Sequence, residues 1–119
     1  MTTEDILNRL ISFKERDKFS TKAWNDRGLN PSGYELCDQL TIFFNSCTDN
    51  LINAVKKNAS SRQLRRILVT ALSSLRRSHY DTEEKEFICD LFLELSGIVE
   101  VDVKYDLSKW LYGPVLAVH

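Results

Sequence analysis

Two blocks of charge hold most of the recognition chemistry in this chain. From Lys56 to Arg77 the sequence carries Lys56, Lys57, Arg62, Arg65, Arg66, Arg76 and Arg77 and no acid. From Asp81 to Asp106 it carries Asp81, Glu83, Glu84, Glu86, Asp90, Glu94, Glu100, Asp102 and Asp106 against Lys85 and Lys104 alone. At helical spacing the five arginines project into one arc opposite Leu64, Ile67 and Leu68, which predicts a basic face. A guanidinium row suits phosphate or carboxylate, so Arg62, Arg65 and Arg66 are the candidate anion-binding residues. With no aromatic interleaved for base stacking and no nucleic-acid motif, an acidic protein is a better match for that face than nucleic acid.

Glu83, Glu86, Asp90 and Glu94 recur three and four residues apart and form an acidic stripe. Like charges at that spacing are mildly unfavourable when unanswered. The stripe is therefore expected to meet the arginine edge of a neighbouring helix, chiefly Arg65 and Arg76, or else to recruit a basic partner protein as small immunity proteins do. The plainer reading of both blocks is solvated helix surface, with Lys56-Lys57 and Arg76-Arg77 near helix C-termini where the macrodipole favours cations.

Catalytic chemistry finds little to work with. His79, the one histidine before the C-terminal residue, lies in the Ser78-His79-Tyr80-Asp81 connection and reads as a turn residue. There is no Gly-rich phosphate loop, no GxSxG and no HExxH, and the Glu-x-x-His units of a di-metal bundle are missing. The expectation is a protein that is not an enzyme, with no catalytic residues, no metal and no cofactor. Cys37, Cys47 and Cys89 are odd in number and lack CxxC spacing, so they read as reduced thiols, with Cys89, off the main apolar arc of its helix, the most accessible. Trp24, Asp26 and Arg27 beside a helix start at Pro31 are candidate lining residues of a shallow groove for an anion or a peptide end. Trp110, in register with Val103 and Leu107, reads as a core plug.

The elements that must position these groups are helices. Ile6, Leu7, Leu10, Ile11 and Phe13 mark a first helix over about 3–18, capped by Thr2 or Thr3. Phe19 to Leu29 breaks the period and reads as an ordered loop, with Asn25-Asp26-Arg27-Gly28 as a turn signal. Asn30 is the expected N-cap of a long second helix reaching Lys57, with Pro31 in its first position and Leu29 stapled on Tyr34. Ser60 and Gln63 form a capping-box pattern for the third helix, and Asp81-Thr-Glu-Glu opens the fourth. The third and fourth are expected to make an antiparallel hairpin. Val99 to Tyr105 alternates like a strand but has no partner strand, so a turn at Val101 and a short helix ending at Gly113-Pro114 are preferred.

The fold class is thus all-α, a bundle of four to five helices with an ordered loop between the first two. Leu40, Phe44, Leu51, Leu68, Leu72, Phe87, Leu91 and Leu95 are its expected core. With 119 residues, 43% of them hydrophobic and 28% charged, the chain suits one domain, placed at 1–113 with a loosely held tail over 114–119. A formal net charge of -1 gives no global pull toward nucleic acid or an anionic membrane. Met1-Thr-Thr-Glu-Asp lacks the features of a secretory signal and no apolar run is long enough to span a bilayer, so the cytoplasm is the expected location. Nothing in the pattern fixes an oligomeric state.

The runs Ala23-Trp-Asn-Asp-Arg-Gly-Leu-Asn-Pro-Ser, Asp81-Thr-Glu-Glu-Lys-Glu-Phe-Ile-Cys-Asp and Lys109-Trp-Leu-Tyr-Gly resemble a small bacterial domain family of unknown function. The resemblance covers nearly the whole chain up to Gly113. It implies a bacterial, all-helical single domain and assigns no functional residues. The residues alone favour a protein-interaction module using the acidic stripe, with an anion, small-molecule or nucleic-acid binder using the arginine face as the alternative.

Overall fold

The computed structural model describes residues 2–113, and the tail expected over 114–119 lies outside them. Among these residues the chain forms α1 (Thr3–Glu15), α2 (Thr21–Asp26), α3 (Tyr34–Lys56), α4 (Ser61–Ser74), α5 (Thr82–Ile98) and α6 (Lys104–Tyr112), with a 3₁₀ turn at Arg77–His79. None of these helices is long and apolar enough to cross a membrane. Three starts are built as reciprocal capping boxes: Thr2 with Asp5, Ser60 with Gln63 and Asp81 with Glu84. Each box satisfies N–H groups that the first turn leaves without partners.

α1 stops at Glu15, short of the expected 18, because Arg16 is extended and Lys18 folds back over the helix end. The Lys18 ammonium donates to the carbonyls of Phe13 at 2.9 Å, Lys14 at 3.1 Å and Arg16 at 3.1 Å. The expected loop over Phe19–Leu29 holds α2, capped by the Ser20 hydroxyl. Only Trp24 of this short helix is buried, so it leaves no periodic signal. Its turn-like ending is a C-cap: Gly28 has φ 73°, and Gly28 and Leu29 N–H groups bond back to Asn25 and Trp24.

α3 begins at Tyr34 and not at Pro31. Asn30 donates its backbone N–H to Glu83 at 3.0 Å and Ser32 donates its hydroxyl to Glu84 at 2.6 Å, which pins the strap before α3 to the start of α5. Tyr34 is 87% exposed, so it makes no staple with Leu29. A short turn through Asn58 (φ 57°) folds α4 back along α3, which is its main packing partner. α5 and α6 also touch α4, so the third and fourth long helices expected to pair do meet, though less closely than α3 and α4. The 3₁₀ turn and Tyr80 separate α4 from α5.

All eight residues expected in the core are buried. Their centre is aromatic: Trp24 meets Phe87 edge-on at 4.4 Å, Phe19 lies 5.1 Å from Phe87, and Phe44 lies 5.2 Å from Phe92. Such tilted and edge-on arrangements suit the ring quadrupoles. After α5, Glu100 adopts φ 60° and Val101 bonds back to Ser96, giving the turn that delivers α6, with Val103 and Leu107 buried.

Candidate functional site

The acidic stripe is largely answered within the chain, though not by the arginines expected to do so. Glu83 accepts from the Asn30 backbone N–H, Asp90 lies 3.4 Å from Arg27, and Glu94 accepts from the two terminal guanidinium nitrogens of Arg16. Contact with the Glu94 carboxylate raises the pKa of Arg16. Arg27 also lies over the Phe87 ring at 4.4 Å. Of the four carboxylates, Glu86 alone has no hydrogen-bond or ion-pair partner among the described residues. It lines a cleft between α5 and α6 of about 350 Å³ with Asp90, Leu93 and Tyr112.

The five arginines do not form one face. α4 ends at Ser74, which puts Arg76 and Arg77 off the helix. Arg77 donates to the carbonyls of Trp110 at 2.7 Å and Leu111 at 3.1 Å and closes the end of α6. Arg65 pairs with Asp106 and donates to the Asp102 carbonyl, so it ties α4 to α6 instead of meeting the stripe. Arg62 and Arg66 stay on the exposed side of α4 with no ion pair among the described residues.

Trp24, Asp26 and Arg27 do not line a common groove. Trp24 is fully buried, with its Nε1 lacking a partner among the described residues. Asp26 pairs with Lys22 on the surface, and Arg27 turns to Asp90. The helix start that would have faced them is displaced to Tyr34. Cys89 is buried as well, because α6 covers its side of α5, and burial with nearby Asp90 and Glu86 pushes its thiol up to about 11. Cys47 is pushed up to about 12 by burial alone. Cys37 is the more accessible thiol, half-buried beside the Ser32 carbonyl. His79 is exposed in the 3₁₀ turn. Among the described residues no group of three or more His, Cys, Asp or Glu could hold a metal.

Another concavity lies elsewhere, as a trough between α3 and α4 of about 630 Å³ that is open to solvent. Ala54, Ala59, Ile67 and Ala71 form its apolar floor, and Lys57 and Arg66 supply its charge. No carboxylate lines it. Apolar periodicity marks Ile67 as part of the α4 arc but leaves the trough itself unmarked, since Ala54, Ala59 and Ala71 are small side chains that add little to the pattern. The sequence signal for it is alanine at 54 and 71 with cations at 57 and 66.

Fold and surface together define an all-helical domain that carries a cation-rimmed trough between α3 and α4. The chain belongs to the family described as a domain of unknown function, DUF4844, whose model matches residues 1–115. Its fold is similar to that of a DUF3571 family protein from Acinetobacter baumannii, with a TM-score of 0.84 and 19% identity over 98% of this chain and 95% of the other. None of the curated proteins matches it.

Proposed function

We propose that the protein is a non-enzymatic interaction module that recognises an acidic partner protein through the basic surface of α4 and the adjoining end of α3. One observation supports this reading above the others: Lys57, Arg62 and Arg66 have no carboxylate partner among the described residues, whereas Glu83, Asp90 and Glu94 are all engaged within the chain. Charge left unanswered inside a fold is charge available to steer and orient a partner. The arginine surface, ranked second on sequence grounds, therefore ranks first. The free thiols of Cys37, Cys47 and Cys89 and the source of the similar structure support work in a reducing bacterial cytoplasm.

A specific observation keeps the acidic surface as a second reading. Glu86 is exposed and unanswered, and Leu93 (40% exposed) and Tyr112 (61%) stand on the same cleft. That edge fits a basic segment, as in an immunity-protein-like module.

Affinity capture from the source cell separates the two. The triple variant Lys57→Glu, Arg62→Glu, Arg66→Glu is expected to lose specific acidic partners that Glu86→Lys, Asp90→Lys retains. The reverse pattern, with partners lost only from the α5 variant, overturns the ranking. Helical circular dichroism of both variants is expected to match wild type, since all five side chains are exposed.

A further inference from the structure

The trough between α3 and α4 has the length, direction and chemistry to select one kind of acidic ligand. Along α3 and its C-cap the wall runs Asn50, Ala54, Lys57, at steps of four and three; on α4 it runs Gln63, Ile67 and Ala71, with Arg66 on the same side. These spacings are one stripe of each helix, so the trough follows both axes for about two turns, or ~10–12 Å at 1.5 Å per residue. Small side chains at Ala54, Ala59 and Ala71 let another backbone come close. A trough open to solvent covers only one face of an occupant, whereas a pocket for a small molecule encloses most of its surface. An amphipathic helix offers such a single apolar face, with anchors at i, i+4 and i+7 over the same two turns.

Charge fixes both the identity and the direction of that helix. Lys57 is the C-cap of α3 and Arg66 lies within the first two turns of α4, so both cations sit toward the end of the trough closed by Ala59. The opposite end, with Asn50 and Thr70, is neutral. We infer that the α3–α4 trough seats an amphipathic helical segment of a partner protein, its apolar stripe on Ala54, Ile67 and Ala71 and its carboxylates at the end held by Lys57 and Arg66. This rests on the acidic-partner reading above and adds to it the partner's secondary structure, register and polarity.

The test uses the full chain and three probes: a synthetic peptide with Leu at i, i+4 and i+7 and Glu at one end, a scrambled peptide of the same composition, and polyglutamate. Binding is followed by fluorescence anisotropy, and contacts are mapped by amide chemical shifts. The patterned peptide is expected to bind, shifting Ala54, Ile67 and Ala71, and the scrambled one to bind at least about tenfold more weakly. Ala71→Gln, which fills the floor without adding charge, should weaken the patterned peptide by about tenfold and leave polyglutamate unchanged. Arg66→Glu should weaken both. Equal binding of the two peptides, with Ala71→Gln indifferent, overturns the trough while leaving an acidic partner in place. If no probe binds even at low salt, the acidic-partner reading falls with it. Decanoate binding at the trough in place of the patterned peptide would overturn the helical occupant and assign a small fatty acid instead. Should Ala71→Gln unfold, the wild-type shift map decides, and shifts confined to Glu86, Leu93 and Tyr112 overturn the proposal.

Discussion

Lys18 is 4% exposed, yet its ammonium has acceptors at the end of α1 and a longer contact of 3.4 Å to Asn45. Removing the charge by Lys18→Met keeps much of the stem and leaves buried carbonyls without a donor. The expected cost is about 1–3 kcal/mol, read as a lower denaturant midpoint. This role is not legible in the sequence, because nothing in Arg16-Asp17-Lys18 says that the chain turns back there. The caps at Thr2, Ser60 and Asp81 are legible because donor and acceptor lie within three residues. The thiols give a pH prediction with a defined sign. Burial raises Cys47 to about 12 and Cys89 to about 11 from an ordinary 9.0, so the unfolded chain ionises first. The stability they contribute is full below about pH 9 and is lost as pH rises toward 11 and 12. Denaturant titrations across that range should show a decline that Cys47→Ala with Cys89→Ala flattens. At neutral pH, Cys37 should react with a thiol reagent before the other two.

Among the elements, α6 depends most on polar ties. Arg65 holds its N-terminal turn through Asp106, Arg77 closes its last carbonyls, and Trp110 donates its Nε1–H to Leu75 at 2.9 Å. Arg77→Met should therefore raise amide exchange in Lys104–Tyr112 while leaving α3 and α5 protected. Gly113 has φ 84°, and a Cβ there would stand 3.1 Å from the Arg77 guanidinium carbon, so Gly113→Ala should loosen the same helix. In the core, Leu72→Ala is expected to cost ~2–5 kcal/mol, and a change below ~0.5 kcal/mol would contradict its placement. The long helices were legible from periodicity, since each buries a continuous stripe. α2 was not, because only Trp24 is buried in it. The start of α3 was also hidden: Asn30-Pro31 has the local form of a helix start, but Glu83 and Glu84, more than fifty residues away, hold that strap outside the helix.

At the scale of the molecule, the two charge blocks were legible as composition but their pairing was not. Arg16 and Arg27, both outside the basic block, engage the acidic stripe, and Arg65 and Arg77 are used up on α6. Pairing is decided by which helices become neighbours, and a local charge count does not contain that information. The consequence is a smaller free basic surface than the sequence suggests, centred on Lys57, Arg62 and Arg66. Lys57, Arg62 and Arg66, which with Lys56 and Arg76 are the cations of the block without an ion-pair or side-chain hydrogen-bond partner among the described residues, have no stacking aromatic among them and release few counterions on a polyanion. The wild type is therefore expected to flow through a heparin or oligonucleotide column at physiological ionic strength, where the Debye length is about 8 Å and exposed charges are well screened. At low salt it should be retained weakly, and Lys57→Glu, Arg62→Glu, Arg66→Glu should remove that retention while Arg65→Ala, whose charge already serves Asp106, should change it little. Firm retention of wild type at physiological salt, lost in the triple variant, would move the basic surface from protein recognition to nucleic acid.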